Sequence, residues 1–400
     1  MRISLSRAIV VMLCVSSGAA VAQPYSPGAS DTEIRLGQTV PLSGPVSVAG
    51  VVGQASLAYF SALNRSGGIN GRQVKLIVLD DGYSPPKTIE ATRRLVEDDA
   101  VLMMYGSVGT PTNAAAEKYL NQKKIPQLFI TTGASRFREP SSYPWTMAFI
   151  PSYIQEGRAM ARYVLDTVSS PRVAILYQND DLGKDFRAGF RSGLSDKANS
   201  LIVSEQTYEV TDPAVDSQLI AAKVSGANVF YFAGTQRAGA EQIRGVRKLD
   251  WAPLHLVCSI ASNVEAVLKP AGLENAEGLV STAYAKDPFD PAWAEDAEVK
   301  AFLAWEKTSL TEGNPRDSGV VLGYMSSFLA AYVLQQAGST LTRENVLNVA
   351  THLTNLRVPM LLPGITVTTT PTDYSVINHF QIQRFEHGHW VRIGPTISGE

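Results

Sequence analysis

Three loops in the first half of the chain gather glycines and hydroxyl side chains. They read Leu42-Ser43-Gly44-Pro45, Tyr105-Gly106-Ser107-Val108-Gly109-Thr110 and Thr131-Thr132-Gly133-Ala134-Ser135. Each follows a short apolar run. Glycine lets a backbone approach a guest closely, and hydroxyls both donate and accept hydrogen bonds. Where such a loop opens a helix, free N–H groups and a partial positive charge make a carboxylate a natural guest. The same hydroxyls can equally cap the helices, because capping and anion binding share one geometry.

Other chemistries find less support. No GxSxG, GxxxxGK[ST] or HExxH pattern and no spaced cysteine pair occurs, so no enzyme and no cofactor is expected. The 5 histidines are His255, His352, His379, His387 and His389. The pair around Gly388 reads as a turn with exposed imidazoles rather than a metal site. The acids Asp80-Asp81 and Asp180-Asp181 are adjacent, so on a strand they face opposite sides and make no acid/base pair. Cys258 ends an apolar run and reads as a buried, inert thiol.

Lys and Arg total 35 against 37 Asp and Glu, with no basic stripe, which excludes a nucleic-acid partner. Arg2 and Arg7, an apolar run from Ala8 to about Val15, and Ala20-Val21-Ala22 have the order of an export signal cut after Ala22. Leu13 before Cys14 does not suit a lipobox, so a cleaved protein in the periplasm is expected. No later segment is expected to approach transmembrane length without charges. Export removes one of the 2 cysteines, so no intramolecular disulfide can form.

The elements that must position the loops alternate. Strands are expected at 34–40, 74–79, 102–105, 127–130, 173–177, 201–208, 229–233 and 254–258. Helices are expected at 51–64, 88–97, from about 112, and at 155–165, 185–194, 215–224 and 240–248. This βαβα order predicts α/β lobes with parallel sheets flanked by helices. The stretch from Pro140 to Pro151, with Trp145, does not continue the first alternation and marks a break. A strand at 279–284, long helices at 299–307 and 320–336, and a hairpin over 378–393 must then add to lobes already built.

Several segments carry a family resemblance. They are Ile34-Arg35-Leu36-Gly37-Gln38-Thr39-Val40-Pro41-Leu42-Ser43-Gly44-Pro45, Gly67-Gly68-Ile69-Asn70-Gly71-Arg72, Leu79-Asp80-Asp81, and Val173 through Asp185. Together, in order, they resemble the solute-binding proteins of branched-chain amino-acid type ABC transporters, over essentially the whole exported chain. The resemblance implies two Rossmann-like lobes joined by a multi-crossover hinge, the type I periplasmic binding protein fold. The first lobe is expected over 31–150 plus about 281–360, and the second over 151–280 plus about 361–400.

The resemblance also implies a ligand held between the lobes by closure, with a membrane permease as partner and a monomeric receptor. The family holds a ligand carboxylate on the second and third loops, which here points to Ser107, Gly133 and Ser135, with Ala134 lining and Ser43 on the first loop. The second lobe is expected to contribute Tyr153, Tyr177, Leu182, Thr235, Gln236 and Ser259. Arg237 reads as a surface charge. In amino-acid-binding members an acid late in the second lobe neutralises the ligand ammonium. Here Ser259-Ile260-Ala261-Ser262-Asn263 holds none, and Glu265 lies further along. A buried ammonium without a counter-charge is costly. The expected ligand is therefore a small carboxylate, an aromatic acid stacking on Tyr153 or Tyr177, with a branched-chain or other amino acid as the alternative.

Overall fold

The computed structural model describes residues 25–310, 314 and 316–398, so the expected export signal lies outside the described residues. The first half builds β1 (Glu33–Val40), α1 (Val51–Arg65), β2 (Gln73–Asp80), α2 (Pro85–Arg93), β3 (Met103–Tyr105), α3 (Thr110–Gln122), β4 (Gln127–Ile130) and β5 (Thr146–Ala148). These strands form one sheet in the order β2-β1-β3-β4-β5, all parallel. The stretch read as a break thus contains an edge strand. Only Thr146, Met147 and Ala148 pair, too short a run to show periodicity.

The second lobe follows as α4 (Tyr153–Thr167), β6 (Val173–Gln178), α5 (Asp181–Leu194), β7 (Ile202–Tyr208), α6 (Asp216–Val224), β8 (Val229–Ala233), α7 (Gln236–Lys248), β9 (Leu254–Val257) and β10 (Val280–Ala283). Then come α8 (Ala297–Ser309), α9 (Ser318–Ala337), α10 (Arg343–Ala350), and the hairpin β11 (His379–Glu386) and β12 (His389–Ser398). The second sheet runs β12-β11-β10-β9-β8-β6-β7. The hairpin adds antiparallel to its edge. Sheet membership takes the chain to the second lobe near 149–152; the packing of α9 on α1 brings it back near 284–286, and β11 returns it to the second sheet near 374–379, where the Tyr374 hydroxyl still donates to Pro144 O of the first lobe.

Burial explains these elements. Val229-Phe230-Tyr231-Phe232-Ala233 is wholly buried, as a central parallel strand covered on both faces must be. In α5, Leu182, Phe186, Phe190 and Leu194 recur every fourth residue and are all buried. Each such side chain contributes about 1.5–3 kcal/mol by leaving water. The helix lies so close to α4 that a Cβ on Gly189 would stand 2.1 Å from Ile154 O. The uncharged α9 corrects one expectation. Its 20 residues are long and apolar enough to cross a membrane, yet most of it is buried, and Val52 O of α1 lies 2.7 Å from where a Cβ on Gly323 would sit. A core helix covered by its neighbours passes the same compositional test as a membrane span.

Candidate functional site

The lobes meet around a cavity of about 190 Å3. Its first-lobe wall is apolar: Val46, Val52 and Val108 are joined by Val321, Leu322 and Met325 of α9. Beside them stand Gly109 and Thr110, at the start of α3, and Thr131, just after β4. The second lobe faces them with Tyr153, Leu182, Thr235, Gln236 and Ser259. The returning segments supply Thr282, Tyr284, Asp287, Asp317, Gln383 and Trp390.

Helix ends set the electrostatics. Asp180 caps α5 through Leu182 N (3.0 Å) and Gly183 N (3.3 Å). Asp317 caps α9 through Gly319 N at 2.8 Å. By contrast α3 begins after Gly109, at φ 108°, with no side-chain cap, and its first-turn N–H groups present positive potential. The N-cap of α7 is Thr235, but its hydroxyl is diverted to Gln178 Oε1 at 2.9 Å, so α7 has no side-chain cap either. Behind the wall, Glu156 is 2% exposed. Its Oε1 accepts from Ser259 N and its Oε2 from Ser259 Oγ, each at 2.7 Å. Burial pushes its carboxyl up to about 7. Burial also raises the Asp287 and Asp317 carboxyls from their ordinary value.

Contacts across the cleft hold the lobes together. Ser135 N and Oγ donate to the Asp185 carboxylate at 2.6 and 3.1 Å. Arg136 pairs with Asp181 at 3.0 Å. Asn263 Nδ2 donates to Asp317 Oδ1 at 2.7 Å. Val210 of the second lobe packs on the first-lobe cluster of Val46, Val52 and Tyr83.

Of the residues singled out from sequence, Tyr153, Leu182, Thr235, Gln236 and Ser259 line the cavity, and six lie outside its lining. Local bonding explains those six. Ser43 Oγ donates to Asp80 Oδ2 at 2.6 Å. Ser107 Oγ is buried between strands, accepting from Thr39 N. Gly133 is covered, since a Cβ there would stand 2.0 Å from Pro151 O. Ala134 is fully buried, and Ser135 is spent on Asp185. Tyr177 has its ring under the Arg187 guanidinium of α5 at 5.6 Å, away from the lining, while its neighbour Gln178 accepts from the Thr235 hydroxyl. A guest therefore cannot stack on Tyr177, and one face of Tyr153 is taken by Phe186 at 4.4 Å.

Other expectations meet plain geometry. Arg237 reaches the carbonyls of Val210 and Asp212 at the surface. Glu265 pairs with Lys269. Cys258 is fully buried, its thiol pushed up to about 12. Asp80 and Asp81 bond to different partners, Ser43 and Thr88. Sequence reasoning missed the two cavity acids, Asp287 and Asp317. The stretch from 259 to 263 lacks an acid, but the cavity does not.

Known proteins share this fold. The periplasmic binding protein family model matches residues 33–389. An amino acid binding protein of Pseudomonas aeruginosa is 25% identical over 190 residues, covering 46% of this chain and 49%, about half, of that protein. Leu/Ile/Val-binding protein homolog 3 of Brucella melitensis is 25% identical over 78% of this chain and 81% of its own length. A branched chain amino acid ABC transporter structure from Thermus thermophilus with bound valine superposes with a TM-score of 0.82 at 16% identity, covering 92% of this chain and 97% of that one. The chain belongs to the periplasmic binding protein family, in its branched-chain amino-acid type with the type I fold.

Proposed function

We propose that this protein is the periplasmic receptor of an ABC importer, and that its interlobe cavity takes a small aromatic carboxylic acid. One observation carries the reading: the cavity is small and asymmetric. About 190 Å3 is close to the volume, about 150 Å3, that holds a benzene ring in an apolar cavity. The valines, Leu322 and Met325 suit a ring on one side, and the uncapped start of α3 beside Thr110 and Thr131 suits a carboxylate on the other. The first lobe offers the open form a carboxylate site. The second lobe adds its contacts only on closure, so ligand shifts the hinge towards closed. The permease then reads the closed outline of a monomer, delivered to the periplasm by the signal expected over residues 1–22.

The chain from Gln23 onward, stripped of ligand by unfolding and refolding, tests this by thermal melting against benzoates, hydroxycinnamates, aliphatic acids and amino acids. A ligand at hundredfold excess over its Kd adds about 2.7 kcal/mol. Stabilisation by aromatic acids and not by amino acids is the expected result. A shift with leucine or valine alone overturns it. That second reading is favoured by Asp287 and Asp317, whose carboxylates line the cavity and can face an ammonium. The relatives named for leucine, isoleucine and valine point the same way.

A further inference from the structure

We infer that the corner of the cavity around Ser259 selects a ligand group that donates a hydrogen bond, and that Glu156 sets this preference as a positioning residue. The inference rests on the cavity being the ligand site and goes beyond it, to the chemistry of the ligand's second end.

The argument is a count of protons. Ser259 owns one N–H and one O–H, and both are given to Glu156. Above about pH 7 this carboxyl is ionised and only accepts, so there the serine proton cannot turn towards the cavity. What Ser259 shows a guest is its Oγ lone pairs. The Thr282 hydroxyl faces the same carboxylate and favours its ionised form. Gln383 donates Nε2 to Thr282 O at 3.1 Å, leaving its Oε1 as an acceptor. Gln236 Oε1 is buried with no partner; both glutamine amides also carry N–H groups, so the acceptor that is fixed in this corner is Ser259 Oγ. All four residues line the cavity.

A carbonyl, ether or second carboxylate placed against this corner would set lone pairs against lone pairs and leave buried acceptors unsatisfied. A hydroxyl or an amino group satisfies them. The groups facing Glu156 are Ser259, Thr282, Tyr231, Cys258 and Tyr284, none of them a cation. Nothing but the hydrogen bonds fixes the direction of the protons.

The test is isothermal titration of the ligand-stripped protein at about pH 8.5, where a carboxyl pushed up to about 7 is ionised. The probes are 4-hydroxybenzoate, 4-aminobenzoate and 4-methoxybenzoate. The last keeps the oxygen and loses the donor. Binding of the hydroxy or amino compound at least about tenfold tighter than the methoxy compound is expected, and comparing the first two separates hydroxyl from amine as the source of the donor. Ser259→Ala should pull that ratio towards one. Glu156→Gln should do so as well, because an amide N–H can donate to Ser259 Oγ and release the serine proton to the cavity. A merely structural glutamate would weaken every probe alike and leave the ratio intact. Methoxy and hydroxy compounds binding equally, or a ratio unmoved in both variants, overturns the inference. If no benzoate binds and leucine does, the aromatic reading fails alone. Leucine against its 2-oxo acid, which replaces the donor with an acceptor, then runs the same comparison with the same expected ratio and the same overturning result.

Discussion

Replacing Glu156 with glutamine should change how stability depends on pH, in a direction the structure fixes. Burial without a cation moves the Glu156 carboxyl from its ordinary 4.5 to about 7. At 1.36 kcal/mol per unit, ionising it in the folded protein costs roughly 3 kcal/mol. The folded state holds the proton more tightly than the unfolded state. Stability from this group is therefore full below about pH 4.5 and is lost as pH rises through 7. His255 works in the opposite sense. It is buried against Gln242 Oε1 at 2.7 Å, and burial, reinforced by Arg247, lowers it from 6.5 to about 3. Its contribution is full above about pH 6.5 and is lost as pH falls towards 3, reaching roughly 2 kcal/mol by pH 5. Between about pH 5 and 6.5 the two slopes oppose each other in the wild type. Urea unfolding of the ligand-free protein, followed by circular dichroism at about pH 5, 6.5 and 8.5, separates them. Relative to wild type, Glu156→Gln should gain roughly 3 kcal/mol on going from acid to alkaline buffer. His255→Gln should gain roughly 2 kcal/mol on going from pH 6.5 to 5. Only the change with pH is read, because either substitution also alters stability uniformly. Parallel curves for wild type and Glu156→Gln across the whole range would refute the claim that this carboxyl is ionised at the expense of the fold.

Two further outcomes follow from the hinge and the cleft. Gly133→Ala places a methyl 2.0 Å from Pro151 O and 2.8 Å from the Tyr153 ring; overpacking of this kind costs about 1–3 kcal/mol, so a lower unfolding midpoint together with weakened ligand binding is expected, and wild-type values for both would show that the hinge has slack. Asp185→Ala removes both bonds from Ser135 across the cleft, so X-ray scattering should give a larger radius of gyration without ligand and a near-normal one with it, whereas an unchanged ligand-free radius means that these bonds do not hold the lobes together.

Much of the fold was legible because its signals are local. The strand β8 falls at the residues its apolar run marks, Val229–Ala233, and α5 follows from the four-residue recurrence of Leu182, Phe186, Phe190 and Leu194. The strand-end loops were legible for the same reason, since glycine and hydroxyl clusters punctuate the chain wherever a strand gives way to a helix. The short edge strand β5 was not, because three residues carry no periodicity. Nor was the burial of α9, whose uncharged sequence reads alike in lipid and in a core.

The site divides along the same line. Sequence by itself marked the strand-end loops, since a βα unit brings every strand's carboxyl end to one edge of the sheet, and Val108, Gly109, Thr110 and Thr131 of two of them line the cavity. Tertiary structure alone decided which atoms of those loops remain free. Asp80 claims Ser43, Asp185 claims Ser135 and Glu156 claims Ser259, over separations of 37, 50 and 103 residues. Asp287, Asp317 and Trp390 reach the cavity only because the chain returns between lobes already formed. A serine hydroxyl has one proton to give, and its partner is chosen by proximity in space, which neighbours in sequence do not encode.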